Sequence, residues 1–256
     1  MGVKGLFQFL KRFERDVQIA EALRDKSVGV DIFYYIHKSK GDMFAFQNYL
    51  VQITKYAKEV HVVYDGTSQE KKDESHSVTK KEELTKTIQE LDRYLKYPFR
   101  RISKEDRKYI GECLAELKCQ AWQPPPEYIK LTKEWLKSKG VTVHQAQGEA
   151  DGYLVLLEKI KSVDIIITND SDLLTLGARA VLRPVSPVRL ALFDKEELCS
   201  VLGFTGQQWR DFMYLCKNMK NTDILLAYSM ISVYKDLDYV LQKYELLYGA
   251  DLILCN

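Results

Sequence analysis

Seven carboxylates stand where acids could hold cations: Asp31, Asp65, Glu149, Asp151, Asp170, Asp172 and Asp223. Asp31 ends the run from Ser27 to Val30, and Asp65 ends Val60-His61-Val62-Val63-Tyr64. Glu149 and Asp151 open a helical stretch within Gln147-Gly148-Glu149-Ala150-Asp151. Asp170 and Asp172 follow Ile165-Ile166-Ile167, and Asp223 comes later in Lys220-Asn221-Thr222-Asp223. Each alone has an ordinary explanation. An Asp after a strand makes a turn, and an acid at a helix start complements the helix dipole. Several carboxylates at one sheet edge, however, would repel one another and raise their pKa values unless cations lay among them. Oxygen ligands without His or Cys select hard ions, Mg²⁺ or Mn²⁺. Two such ions about 4 Å apart form the usual clamp for in-line phosphodiester cleavage, one activating water and the other stabilising the leaving oxygen.

For these acids to meet, the apolar runs before them must be strands of one sheet, with ligands bound beyond the carboxyl ends. The β-branched runs at 27–30, 60–64 and 163–168 suit buried parallel strands. Helices fall between them. Asp42 caps one that carries Phe46, Tyr49, Leu50, Ile53 and Ala57 at helical spacing. Tyr128, Leu131 and Trp135 mark another, started after Pro124-Pro125-Pro126 and stopped at Gly140. Ala150, Tyr153, Leu154 and Leu157 mark a third. The alternation predicts an α/β fold with a mostly parallel central sheet covered on both faces. Residues 67 to about 120 differ. They carry no strand signal, and Leu84, Ile88, Leu91 and Leu95 form only a narrow apolar stripe. From Arg93 to Lys108 seven Lys and Arg oppose Glu105 and Asp106. This stretch reads as a helical hairpin, either a solvated face or a basic insertion that meets phosphates.

With 256 residues, 46% of them hydrophobic and 29% charged, the chain suits one large α/β domain or a core with an appended helical piece. No run of about 18 apolar residues predicts a membrane span. Met1 to Leu6 is followed by no apolar signal-peptide region, and Leu6 stands where myristoylation needs Ser or Thr. Five cysteines, an odd number without Cys-x-x-Cys, argue against a disulfide framework or a cysteine zinc site. The expected setting is an intracellular reducing compartment, nuclear or cytoplasmic. A net charge of +2 neither demands nor excludes nucleic acid.

In their order and spacing these motifs resemble the flap endonuclease, or XPG-type, family of structure-specific 5′ nucleases, over about residues 1–225. Met1-Gly2-Val3-Lys4-Gly5-Leu6 is similar to the family's N-terminal signature. Val30-Asp31, with His37 six residues on, is similar to its first acidic motif, and Val63-Tyr64-Asp65-Gly66 to its second. Glu149-Ala150-Asp151 and Thr168-Asn169-Asp170-Ser171-Asp172-Leu173-Leu174 resemble the next two. Asp223 falls at the family's last aspartate, after a segment from Phe204 to Cys216 that is also similar. The resemblance implies a PIN-like 5′ nuclease fold with a helical arch over the active site. It implies that the seven acids form the shell of two Mg²⁺ ions, with Mn²⁺ able to substitute. It places Gly2 and Lys4 near DNA and makes His37 a wedge that stacks on a base, with Tyr34 and Tyr35 as rivals. The family's phosphate-reaching Lys, seven residues after the second-motif Asp, corresponds to Lys72, with Lys71 beside it. The family's Arg is replaced by Thr79, so Lys80 or Lys81 would have to substitute without an arginine's bidentate fork.

The resemblance divides the chain into an N-terminal motif (1–66), the arch (67–125), an internal motif (126–225) and a divergent helical end (226–256). After Asp223 the family's helix–hairpin–helix carries a Gly-h-Gly turn, but Ile224 to Leu237 contains no glycine. Duplex anchoring should therefore be weaker or differently made. No sliding-clamp motif precedes Asn256. These departures suggest a minimal member, and a viral source is one reading of them. The expected activity is hydrolysis of DNA phosphodiesters at or near single-strand/duplex junctions, in replication, repair or recombination. Specificity would come from shape, because phosphate contacts carry no sequence information. The alternatives are an RNA-directed nuclease and a catalytically silent DNA-binding protein. A homodimer would suit four-way junctions, though no residue demands one.

Overall fold

The apolar runs that precede the acids pair as neighbouring strands. The computed structural model describes residues 3, 5–66, 74–96, 103–218 and 223–248, without the side chains of 74–81, 119–120 and 244–248. In chain order the elements begin with α1 (Leu6–Leu10), β1 (Arg15–Gln18), α2 (Ile19–Ala22), β2 (Ser27–Asp31), α3 (Ile32–Ser39), α4 (Met43–Tyr56) and β3 (Glu59–Tyr64). Two long helices follow, α5 (Glu74–Lys96) and α6 (Lys104–Ala121), then α7 (Pro126–Ser138), β4 (Thr142–Gln145), α8 (Ala150–Lys159) and β5 (Ile165–Ile167). The rest are α9 (Asp172–Thr175), β6 (Ala180–Ser186), β7 (Arg189–Asp194), α10 (Lys195–Leu202), α11 (Gly206–Asn218), α12 (Ile224–Tyr234) and α13 (Leu237–Tyr248).

The seven strands form one sheet in the order β1-β7-β6-β5-β2-β3-β4. Strands β6, β5, β2, β3 and β4 run parallel, while β7 and β1 close one edge antiparallel. The sequence expectation covered the parallel part but not this edge. Arg15–Gln18 is mostly exposed, and Pro184 in β6 coincides with a register shift, so neither shows a clean apolar run. From β2 the chain moves outward to β3 and β4, then returns to the other side of β2 for β5 and β6. The order therefore reverses between β2 and β5, and a ligand crevice belongs at such a point.

Both faces of the sheet are covered. Val28, Val30, Val62, Ile165 and Ile167 pack with α3, α4 and α7 residues such as Ile36, Phe46, Leu50 and Leu136. Val63, Ile166 and Val181 pack on the other side with Leu154, Leu157, Phe193 and Phe212. Strand residues that alternate in direction thus bury alternately into two cores, which explains their near-continuous apolar character. Gly29 lets α8 approach, since a Cβ there would lie 3.1 Å from Leu154 Cδ2. The helices α5 and α6 lie side by side, joined by Lys118 to Asp92 at 3.1 Å and by Arg107 to the Leu95 carbonyl at 3.2 Å. Among the described residues no helix is long and apolar enough to cross a membrane.

One buried carboxylate belongs to the scaffold. Glu158, at the end of α8, accepts the N–H groups of Arg179 at 2.7 Å and Ala180 at 3.2 Å. It thereby anchors the start of β6. Glu158→Ala would leave two backbone donors without this partner, at a cost of about 1–3 kcal/mol. Urea unfolding should show that loss, and a variant as stable as the parent would remove Glu158 from the account of this corner.

Candidate active site

Asp31 is the last residue of β2 and Asp170 comes three residues after β5, so the two meet at the reversal of strand order. Thr168 binds them together. Its fully buried hydroxyl donates to Asp31 Oδ2 at 2.9 Å and accepts the Asp170 N–H at 2.9 Å. Asp170 Oδ1 in turn accepts the Asp172 N–H at 2.9 Å, which turns the chain into α9. On the other flank Asp65 leaves β3, and its carboxylate accepts the Ala150 N–H at 2.7 Å, in the first turn of α8. Glu149 is the residue before that helix and Asp151 lies in its first turn. Asp31, Asp65, Glu149, Asp151 and Asp170 all line one cleft of about 660 Å³.

The electrostatics show how closely these groups bear on one another. Burial raises the Asp31 pKa to about 6; Thr168 opposes the rise, and Asp170 and Asp65 add to it. Burial likewise raises Asp151 to about 7, with Asp31, Asp170, Asp172 and Asp65 each adding repulsion. Asp172 is raised by burial, against the pull of Lys217, whose Nζ is 4.0 Å from Oδ2. Unfolded, these acids titrate near 4; folded, Asp31 and Asp151 hold their protons to about 6 and 7. The folded state therefore binds more protons across that window, and their contribution favours folding at its acid end and is lost as pH rises through it. The melting temperature of the metal-free protein should accordingly fall between about pH 4 and pH 7. A scan in EDTA that rises instead would contradict the assignment.

The opposite wall comes from α3. Phe33, Tyr34, His37 and Lys38 line the same cleft. Lys38 Nζ lies 3.0 Å from the Tyr34 hydroxyl, and 4.7 Å from the Tyr49 ring centre. His37 stands edge-on to Trp122 at 5.7 Å, and burial, with Lys40 nearby, lowers its pKa. Neither Phe33 nor Lys38 was among the sequence candidates. The signal was the helical spacing from Asp31, which puts residues 34, 37 and 38 on one side of α3.

Two of the seven acids are not in that lining. Asp172 is near enough to repel Asp151, and its Oδ1 accepts the Val3 N–H at 3.1 Å. Asp223 caps α12, accepting the Leu225 N–H at 3.3 Å, and lines a second cleft with Gly5, Phe9 and Arg12. The structure thus brings five acids together in one lining, keeps Asp172 beside them through Asp170 and Asp151, and places Asp223 in a different cleft. Gly2, Lys4, Lys71 and Lys72 lie outside the described residues, as do the side chains of Lys80 and Lys81. The helix–turn–helix after Asp223 forms without glycine: Lys235 takes the left-handed conformation, φ 66°, between α12 and α13.

Residues 140–218 match the XPG I-region, a stretch that runs from β4 to the end of α11 and holds Glu149, Asp151, Asp170 and Asp172. Over that stretch the chain is similar to the XPG I-region family. The chain is 28% identical over 193 residues to Flap endonuclease 1 of Entamoeba histolytica, covering 70% of this chain and 47% of that protein. It is 29% identical over 198 residues to Exodeoxyribonuclease 1 of Schizosaccharomyces pombe, covering 71% of this chain and 32% of that one. The chain spans about half or less of the length of these curated relatives. Its fold is that of the catalytic core of Rad2, solved in complex with DNA substrate. The TM-score is 0.69 and the identity 18%, over 96% of this chain and 72% of that one.

The carboxylate set of the cleft fits hard divalent cations. It offers oxygen donors alone, and burial, with repulsion from neighbouring acids, raises the pKa of Asp31 and Asp151. Among the described residues no three side chains already close round one ion.

Proposed function

We propose that this chain is a divalent-metal-dependent 5′ nuclease that hydrolyses DNA phosphodiesters at or near single-strand/duplex junctions. The observation that carries the reading is the five-acid cleft at the reversal of strand order, faced by an aromatic and cationic helix wall. Asp31, Asp65, Glu149, Asp151 and Asp170 would hold two Mg²⁺ ions, with Mn²⁺ able to replace them. Bound there, such ions would activate water and stabilise the charge that develops on the leaving oxygen. The protein's own part is positioning and charge. Thr168 keeps Asp31 and Asp170 at fixed spacing, and the Ala150 N–H keeps Asp65 turned to the cleft. Deprotonated Asp31 and Asp151 supply the negative field that attracts the cations.

On the other wall His37 offers a ring for an unpaired base, and Lys38 offers an ammonium for a phosphate. Lys72 and Lys80, assigned by resemblance, would add positive charge at the scissile phosphate, with Lys71, Lys81, Gly2 and Lys4 nearby on the DNA. Asp172 would act beside the ring, and Asp223 enters the shell on the resemblance alone.

The test is a panel of end-labelled substrates: 5′ flap, nicked, gapped, blunt and four-way DNAs, single strand, and matched RNAs, with Mg²⁺, Mn²⁺ or EDTA. Metal-dependent cutting of junction DNA supports the reading. Preference for RNA moves it to an RNA-directed nuclease, and junction binding without cutting to a silent DNA-binding protein. Mg²⁺ should also abolish the fall in melting temperature with pH, because cations replace the protons.

A further inference from the structure

We infer that Gln145, oriented by Lys133, is a positioning residue for Asp65, a role outside the carboxylate shell. This rests on the reading of Asp65 as a metal-holding acid. The pairing of β3 with β4 ends at Tyr64 opposite Gln145, so Asp65 lies one residue past the last ladder pair. It is exposed, and its charge adds to the repulsion felt by Asp31 and Asp151. Such a residue would swing toward solvent unless something held it. Two contacts do. The Ala150 N–H holds the carboxylate at 2.7 Å, and the side-chain amide of Gln145 donates to the Asp65 backbone carbonyl.

The amide can do this only if its nitrogen faces Asp65, and Lys133 fixes that orientation. Its Nζ is 2.7 Å from Gln145 Oε1. An ammonium has donors only, so the amide must turn its oxygen to Lys133 and its nitrogen to Asp65. Lys133 is itself held, with Nζ 4.6 Å from the Tyr64 ring centre. Burial and the neighbouring Lys137 lower its pKa, and among the described residues it makes no ion pair. Next to it on α7, Thr132 Oγ1 accepts the Tyr64 hydroxyl at 3.0 Å. Helix α7 thus grips the last residue of β3 through Tyr64 and steers the next one through Gln145. Partners one shell out from metal-holding groups typically change metal affinity 10–100-fold.

The experiment is direct Mn²⁺ binding to DNA-free protein by electron paramagnetic resonance, read beside urea stability measured in EDTA. Gln145→Ala and Lys133→Met should each weaken Mn²⁺ binding about 10-fold. Lys133→Arg, which keeps a donor for the amide oxygen, should retain most of the affinity. In the Asp65→Ala background, Gln145→Ala should cause no further loss. A purely structural role would lower stability and leave Mn²⁺ affinity unchanged, and that result overturns the inference. If Asp65→Ala itself binds Mn²⁺ like the parent, the reading of Asp65 fails. If Asp65→Ala loses binding while Gln145→Ala and Lys133→Met keep it, the brace alone fails.

Discussion

Asp170→Ala is expected to abolish cleavage while DNA binding persists. Asp170 stands at the strand-order reversal, its N–H on the Thr168 hydroxyl and its Oδ1 on the Asp172 N–H. Its charge bears on Asp31, Asp151 and Asp172, raising the pKa of all three. No other acid in the cleft raises the pKa of so many other acids. On the proposed reading Asp170 is a cation ligand, so removing it would misplace the ion and forfeit several kcal/mol of transition-state stabilisation. A loss of at least about 10³-fold in rate follows from about 4 kcal/mol. A carboxylate makes no attractive contact with a phosphate of its own, so anisotropy with a labelled flap should change little. Asp170→Asn sharpens the case. The amide keeps an oxygen for the Asp172 N–H but loses the charge. It should be as inactive as the alanine variant, yet in EDTA near pH 8 at least as stable as the parent, because like-charge repulsion is relieved. Cleavage at the parental rate by either variant would show that the acids are not where the metal acts.

Much of this site was legible in the sequence because strand and acid are contiguous. A β-branched run that stops at Asp31, Asp65 or Asn169-Asp170 states both a buried strand and the group at its end. Parallel packing then leaves one place for those ends to meet. Other features were not legible, each for a physical reason. Asp172 and Asp170 differ by two residues, yet the turn that starts α9 sends one to the Val3 N–H and the other to the cleft. The edge strands β1 and β7 pair across more than 170 residues of chain, a contact that no local pattern announces. The helical end after Asp223 was legible but its turn was not, because Lys235 takes a left-handed conformation that glycine would adopt more cheaply. The Gln145–Lys133 contact depends on α7 lying beside β4, and a solvent-facing Gln and Lys carry no mark of it in sequence.

Gly66→Ala should damage the site from outside the acid set. Gly66 directly follows Asp65, and its N–H donates to the Gly148 carbonyl at 2.7 Å. A Cβ there would lie 2.1 Å from the Gln147 carbonyl oxygen, 2.5 Å from the Gln147 carbonyl carbon and 2.7 Å from the Ala146 oxygen. All three are backbone atoms, so no side chain can turn aside, and the segment from Ala146 to Gly148 must move. That segment leads directly to Glu149 and to the Ala150 N–H that holds the Asp65 carboxylate. A shift of about an ångström at a positioned group costs on the order of 10²-fold in rate. The forced separation should also cost about 1–3 kcal/mol of stability. Gly148→Ala is the matched control. It lies in the same crossing, but a Cβ there meets nothing within 4 Å, so its rate and stability should stay near parental. If both variants behave alike, backbone contact between the strand end and the Glu149 segment is not what holds two acids in register. If only Gly66→Ala loses cleavage and Mn²⁺ binding, the glycine after the second acid is there for the close approach of two backbones, with no demand for an unusual φ.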